Sequence, residues 1–262
     1  LLSRRQRQMC IRDRSIGSFV FDDTPWLTGK QKENPLVIIN EILIDGKTCA
    51  GSVTIPDSVT AIGGGAFYGC AGLTEISIPD SVTSIGVNAF GDTPWLAAKR
   101  KENPLVVVNG ILIDGRTCTE SAIIPDGVTS IGDGTFYGCT GLTEITIPDG
   151  ATSVGFQTFS GCTSLKKITI PDSVTSIENN AFYGCASLTE IVIPDGVTKI
   201  YSGAFYKCTS LTEITIPDSV TNIRVGAFCG CTSLTEITIP DGVTSIGGAA
   251  CLLYTSDAAD DL

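Results

Sequence analysis

The chain contains no histidine, one methionine and two tryptophans among 262 residues. It also has no glycine-rich phosphate loop and no nucleophile placed beside a base, so no set of residues typical of a catalytic site is present. Without histidine, the paired Cys and His ligands of a zinc site are missing too. The sequence therefore predicts a protein that is not an enzyme and that has no cofactor and no metal site.

Positive charge is also scarce, because 17 Lys and Arg residues face 28 Asp and Glu residues and the net charge is −11. An acidic surface disfavours nucleic acid and anionic membranes as partners. No stretch approaches the roughly 20 apolar residues that a membrane span needs. We therefore expect no nucleic-acid partner and no membrane insertion.

The most informative feature that is present is an Ile-Pro-Asp motif with a 23-residue period. All spacings are one period except one of two periods, and the prolines are Pro56, Pro79, Pro125, Pro148, Pro171, Pro194, Pro217 and Pro240. A period in the twenties is typical of a solenoid, in which each repeat buries its apolar side against its neighbours. The sequence predicts one solenoid domain of about ten coils over residues 15–250.

The two ends do not follow the repeat. Arg4 to Arg14 can be reverse-translated into DNA whose complementary strand, in a shifted frame, encodes Cys251 to Asp260. That DNA segment resembles a transposon adapter used for sequencing libraries, so we interpret residues 1–14 and 251–262 as non-native tails. The chain is then an internal fragment of a gene from mixed DNA, with its caps, export signal and anchor unobserved.

A single coil can be interpreted from its apolar periodicity. In residues 211–233, Leu211, Ile214 and Ile216 are predicted to point inward from a short strand. Pro217 ends that strand because proline cannot donate a ladder hydrogen bond. The aspartate after each proline is expected to hold the turn through its side chain.

Phenylalanine and cysteine recur once per coil. The phenylalanines are expected to stack into one buried column of Phe67, Phe136, Phe159, Phe182, Phe205 and Phe228. The cysteines three residues further on are Cys70, Cys139, Cys162, Cys185, Cys208 and Cys231. Disulfides or a metal are one interpretation of that column. Parallel Cβ vectors and the missing histidine favour buried free thiols instead. Cys229 lies outside the column and is expected to be exposed.

Longer units replace the regular coil twice, 69 residues apart. Thr93-Pro94 is typical of a helix N-cap and first turn, which predicts a helix to Glu102 and then a tight turn at Asn109-Gly110. Trp26 and Trp95 in these units are either ligand-binding aromatics or anchors that hold the helix on the coil. We favour the anchor, since a partly buried Trp is the common case.

The outward strand positions form the candidate binding face. They comprise a glutamate column interrupted by one lysine and an adjacent threonine column: Glu75, Glu144, Thr146, Lys167, Thr169, Glu190, Glu213, Thr215, Glu236 and Thr238. Stacked carboxylates repel, so a basic partner would relieve them. A solvated face without a ligand is the simpler interpretation of such a charge column.

The pattern L-x-x-I-x-I-P-x-x-V-x-x-I-x-x-x-A-F-x-x-C resembles the BspA-like class of leucine-rich repeats over nearly all of residues 15–250. The resemblance implies a right-handed solenoid that contains little helix, with parallel strands on one, concave, side and two short helical insertions. It also implies an adhesion module of a bacterial cell-surface or secreted protein, which binds a host or microbial protein through the concave face. The alternatives are a passive spacer that displays another domain, and an accessory domain of a larger enzyme.

Overall fold

The computed structural model describes residues 20–250, which divide into two compact units at Ile111/Leu112. The two tails interpreted as adapter translation lie outside the described residues. Unit 1 contains the helices Pro25–Glu33 and Pro94–Glu102 and the strands Val37–Ile39, Ile42–Asp45, Gly51–Thr54, Ala61–Ile62, Leu73–Ser77, Ser84–Ile85 and Val106–Val108. Unit 2 begins inside strand Ile111–Asp114.

Unit 2 contains two kinds of strand, one of each in most coils. The long strands have three to five residues and are Glu120–Ile123, Leu142–Thr146, Lys167–Thr169, Glu190–Val192 and Glu213–Thr215. The short strands have two residues and are Ser130–Ile131, Ser153–Val154, Ser176–Ile177, Lys199–Ile200, Asn222–Ile223 and Ser245–Ile246. The apolar periodicity predicted the long strands, whereas the two-residue strands were not predicted.

The 23-residue period is the register of the coil stack. Long strands pair in parallel with Glu144 opposite Lys167, and short strands pair in parallel with Ile177 opposite Ile200. A third set of backbone hydrogen bonds joins the corners, for example from Phe159 N to Ala181 O at 2.8 Å. In unit 2, most neighbouring coils are therefore bonded at three places, which satisfies backbone groups that would otherwise be buried without partners.

Phenylalanine fills the centre of each regular coil. In unit 2, Phe136, Phe159, Phe182, Phe205 and Phe228 are buried, and neighbouring rings stack at centroid distances of 5.1–5.5 Å with interplanar angles of 2–12°. In unit 1, Phe67 stacks on Phe90 at 5.4 Å. The prediction of one column is wrong in two respects: it omitted Phe90, and each unit has its own stack.

Glycine takes the place of phenylalanine in the inserted coils, which explains the two stacks. Gly46 and Gly115 lie three residues before a buried cysteine, where a regular coil has its phenylalanine. A Cβ on Gly46 would lie 2.2 Å from Cε1 of Phe67, and a Cβ on Gly115 would lie 2.2 Å from Cε1 of Phe136. The first phenylalanine of each stack therefore packs directly on glycine backbone.

Both inserted helices begin as predicted. Thr24 and Thr93 are N-caps whose Oγ1 atoms accept hydrogen bonds from the backbone N–H of Leu27 and Leu96 at 3.2 Å, and proline follows each cap. After the first helix, strands Val37–Ile39 and Ile42–Asp45 form an antiparallel hairpin. Its turn residues have positive φ, as Asn109 and Gly110 do in the second copy.

Replacing Gly46 by alanine should destabilise unit 1 by roughly 1–3 kcal/mol, because the new methyl group would overlap the ring of Phe67. Gly29→Ala is the matched control, since Gly29 lies inside helix Pro25–Glu33 with open space around its Cβ position. That change should stabilise the protein by about 0.5–1 kcal/mol. Urea unfolding measures the change in unfolding free energy for each variant. Equal changes in the two variants would contradict the packing explanation.

Phe182→Ala should cost roughly 3–5 kcal/mol of unfolding free energy, because it removes a fully buried ring that stacks on a neighbour on both sides. Val192→Ala is the control. Val192 lies on the next long strand and is 68% exposed, so its truncation should lower the unfolding free energy by less than about 0.5 kcal/mol. Denaturant titration of both variants tests the difference. A small loss at Phe182 would show that the stack does not support the fold.

Candidate functional site

The strand face is the outward side of the long strands. Nine of its ten predicted residues lie in unit 2, and Glu75 lies in unit 1 on strand Leu73–Ser77. Glu144 is opposite Lys167, Thr146 is opposite Thr169 and Glu190 is opposite Glu213. The structure thus brings most of the predicted residues into two adjacent columns, as their spacing predicts.

Charge pairing divides the strand face. Lys167 Nζ lies 3.4 Å from Glu144 Oε1, so that end is neutralised. Glu190 and Glu213 are direct neighbours across strands, and within residues 20–250 neither forms an ion pair. Like charges opposite each other destabilise a sheet. The second part of the face therefore keeps an exposed and unbalanced negative charge.

The strand face is also less regular than its sequence. The ladder is interrupted between Lys167–Thr169 and Glu190–Val192, so the long strands form a three-strand and a two-strand sheet, while the short strands form a continuous sheet. Glu236 and Thr238 are exposed, but residues 235–240 form no strand. That segment has a described neighbouring coil on one side only, which reduces the number of ladder bonds available to it.

The aspartate after each proline does not hold the turn, so that expectation is wrong. The turn is closed by the backbone, as in the hydrogen bond from Val220 N to Pro217 O at 3.0 Å. Asp218 is exposed, and like its equivalents in the other described coils its carboxylate accepts no hydrogen bond. These carboxylates contribute to solubility rather than to turn geometry.

A second surface row, which sequence reasoning missed, lies beside the phenylalanine corner of unit 2 and is exposed except at the half-buried Tyr206. We call it the tyrosine ridge: Tyr137, Tyr183 and Tyr206, each directly after a buried phenylalanine, together with Phe156 and Val225. Tyr137 is 52% exposed, and Tyr183 stacks on Tyr206 with ring centroids 5.1 Å apart. The signal in the sequence was the recurrence of Tyr after Phe at multiples of the 23-residue period.

The cysteine column consists of free, buried thiols, as predicted. Four of the thiols donate to the carbonyl of the phenylalanine in the preceding coil, for example Cys185 Sγ to Phe159 O at 3.1 Å; the other three are Cys162, Cys208 and Cys231. The Phe159 carbonyl also accepts the backbone N–H of Cys162 in its own coil, so both lone pairs are used. Over residues 20–250, no group of three His, Cys, Asp or Glu side chains is arranged to hold a metal ion.

Three cysteines depart from the expectation. Cys49 and Cys118, which the sequence left outside the column, belong to it, since their carbonyl oxygens accept hydrogen bonds from the thiols of Cys70 and Cys139. Cys229 was expected to be exposed but is buried. It occupies the tyrosine position of its coil, and its much shorter side chain stays against the backbone.

Comparison with known proteins identifies the repeat. The model of the BspA-type leucine-rich repeat region matches six copies, over residues 14–99 and 115–208. The chain belongs to the BspA-type leucine-rich repeat family. Residues 100–114, between the two matched segments, form the end of the second inserted helix and the hairpin that follows it.

Two solved structures that are similar to the chain are leucine-rich repeat proteins of bacteria. A leucine-rich cell-surface protein of Faecalibacterium prausnitzii A2-165 is similar with 29% identity and a TM-score of 0.52, over 78% of this chain and 61% of that one. The T. pallidum leucine-rich repeat protein is 30% identical with a TM-score of 0.44, over 52% of this chain and 77% of that one. This chain thus spans about three fifths of the F. prausnitzii protein. No curated protein matches it.

The insertions of this BspA-type chain are held by a buried carboxylate. Asp45 is 1% exposed, and its Oδ1 accepts a hydrogen bond from Gln31 Nε2 of the first helix at 2.9 Å. Lys47 Nζ lies 4.0 Å from Asp45 Oδ2 and 2.6 Å from Asp22 Oδ2. The cluster joins helix, hairpin and coil, so its role is structural.

The two tryptophans of the insertions differ. Trp95 is 6% exposed and packs on Phe90, as expected for an anchor, because helix Pro94–Glu102 lies against strand Leu73–Ser77. Trp26 contacts Phe21 but remains 43% exposed, with no described coil before it. The anchor interpretation is confirmed for Trp95.

Among the described residues, no helix has the length and apolar character of a membrane span.

Burial of the thiols makes the stability of this repeat protein sensitive to alkaline pH. Burial raises the pKa of Cys162 from 9.0 to about 12, with the neighbouring Cys139 adding to the shift, and burial likewise raises the pKa of Cys185 well above 9.0. A raised folded-state pKa means that the protonated thiol favours the fold. The contribution is complete below about pH 9 and is lost as the pH rises toward 12.

We expect the unfolding free energy to fall between about pH 8 and about pH 11, and to fall less in Cys162→Ala than in the unmodified chain. Urea titrations at the two pH values measure this difference. Thr163→Ala, an exposed neighbour in the same coil, is the control and should keep the full pH dependence. The same pH dependence in Cys162→Ala would contradict the assignment to the thiol.

Proposed function

We propose that this chain is a non-enzymatic protein-interaction module of a bacterial cell-surface or secreted protein, and that it binds its partner through the strand face. Family membership supports a repeat module, and the F. prausnitzii neighbour is described as a cell-surface protein. The role of the longer protein, adhesion included, is part of the proposal. So is the absence of catalytic activity.

The observation that carries the choice of surface is the pair of facing carboxylates. Glu190 and Glu213 are neighbours in register, and within the described chain neither has a cationic partner. Their repulsion lowers the stability of the two-strand sheet. A partner that presents Lys or Arg to this row relieves the repulsion, so binding gains from a charge arrangement that folding alone disfavours.

The exposed surroundings also fit a partner that lies across several coils. Val192, Thr215 and Thr169 continue the neighbouring column with short β-branched side chains, which lose little conformational entropy on contact. The charge column beside them favours fast association and orientation of a basic partner more than affinity. The partner is therefore expected to be a protein with a basic surface, bound in a salt-dependent way.

Glu213→Lys should weaken saturable binding to bacterial surface proteins or host matrix proteins by about tenfold. The substitution places a cation between Glu190 and Glu236, so it should not weaken the fold. Asp218→Lys makes the same charge change in the same coil, at the turn beyond the strand, and should leave binding within about twofold. Binding by surface plasmon resonance at two salt concentrations provides the measurement.

A thermal melt of each variant accompanies the binding data, so that a loss of binding can be separated from a loss of folding. Equal weakening by both substitutions would show that only overall charge matters. Binding that Glu213→Lys leaves unchanged would exclude the strand face. If no surface or matrix protein binds saturably, the passive spacer becomes the better interpretation.

A further inference from the structure

The tyrosine ridge differs in chemistry from the strand face. Its exposed side chains are aromatic and aliphatic: Tyr137 is 52% exposed and Val225 59% exposed. Neutral polar residues such as Asn179 and Ser202 lie among them. Tyr is enriched in the centres of protein interfaces, whereas Glu and Lys, which dominate the strand face, are depleted there. Tyr, Asn, Ser and Gly together also make up adaptable binding surfaces.

The orientation of the rings limits what can bind to them. Tyr183 and Tyr206 are parallel within 3°, with centroids 5.1 Å apart, so each covers one face of the other. The Lys207 ammonium group lies over the other face of Tyr206, so a ligand reaches this ring mainly at its edge and hydroxyl group. The edge of an aromatic ring carries the positive part of its quadrupole, and the face carries the negative part. With Lys207 already over one ring face, the stacked pair favours an anionic group over a further cation.

The same end of the ridge holds cationic side chains in an otherwise acidic protein of net charge −11. Lys207 Nζ lies 5.6 Å from the ring centroid of Tyr206. Arg224 is exposed on the next coil, where its backbone N–H bonds to Ile200 O at 2.9 Å. Two basic residues thus lie on the two coils at this end of the ridge, where Val225 adds exposed apolar surface.

The carboxylates near the ridge are engaged in local contacts. Asp133 Oδ1 accepts the backbone N–H of Phe156 at 2.8 Å, and Glu178 accepts the hydroxyl of Ser176. Within residues 20–250 neither Lys207 nor Arg224 forms an ion pair, so both cations are available to an external anion. A ligand that fits this end of the ridge therefore combines an anionic group with an apolar side chain.

We propose that the tyrosine ridge is a second binding surface, which takes an acidic peptide segment of a partner protein that presents an apolar side chain flanked by carboxylates. The apolar side chain lies against Tyr206 and Val225, and the carboxylates meet Lys207, Arg224 and the tyrosine hydroxyls. A saccharide is disfavoured because sugars stack on ring faces, and the stacked pair covers two of those faces. This surface is independent of the strand face and of the function proposed for it.

The test is selection of phage-displayed random dodecapeptides on the full chain, with counter-selection on a variant that carries Tyr183→Ala, Tyr206→Ala and Arg224→Glu. Enriched peptides should combine Asp or Glu with an aromatic or aliphatic residue. The affinity of one synthetic peptide is then measured by fluorescence anisotropy. Tyr206→Ala and Arg224→Glu should each weaken it by at least about tenfold, as expected for central interface residues.

Controls separate this proposal from the previous one. Glu213→Lys on the strand face should leave the affinity of the peptide unchanged, and Tyr206→Phe, which keeps the ring, should cost less than Tyr206→Ala. Arg224 is exposed, so its substitution tests the ridge even if loss of the stacked ring disturbs the fold. The proposal would be overturned if basic or neutral peptides were enriched, or if no peptide were enriched relative to the triple variant. It would also be overturned if Arg224→Glu left the affinity of the selected peptide unchanged. Binding of neutral oligosaccharides to the ridge, without binding of any acidic peptide, would overturn it as well.

Discussion

The stacking of one phenylalanine ring on the next is the contact on which the rest of the structure depends. Its spacing of 5.1–5.5 Å is close to the spacing of hydrogen-bonded strands, so the rings and the backbone ladders repeat with the same rise. One aromatic residue per coil therefore suffices to fill the core. Where the ring is replaced by Gly46 or Gly115, the next ring packs on backbone instead, and the insertion is accommodated.

Several other columns follow from that stack. The carbonyls of Phe136, Phe159, Phe182 and Phe205 each accept two hydrogen bonds, one from the cysteine N–H of the same coil and one from the thiol of the next coil. Cysteine is small enough for this corner and donates weakly, which explains its recurrence without a disulfide or a metal. Two residues after the phenylalanine, the backbone has positive φ in every described regular coil, and Lys207 adopts it where most coils have glycine.

A repeat of this kind makes surface chemistry periodic, so function depends on the coils that depart from the consensus. Lys167 neutralises one end of the glutamate column and leaves Glu190 and Glu213 unbalanced. On another side of the same coils, Lys207 and Arg224 place positive charge beside stacked tyrosines. The two proposed surfaces thus have opposite charge preferences, and a single module can contact a basic and an acidic partner without competition between them.

The sequence by itself determined the repeat, its register, the inward-facing residues and the caps of the inserted helices, because each depends on spacing or on bonds within a few residues. The tertiary structure alone decided the break in the long-strand ladder, the burial of Cys229 and the contrast between Trp26 and Trp95. It also showed that the turn aspartates accept no hydrogen bonds and that Tyr183 and Tyr206 cover each other's faces. These features depend on what the neighbouring coil places against a residue, and a period within one chain does not contain that information.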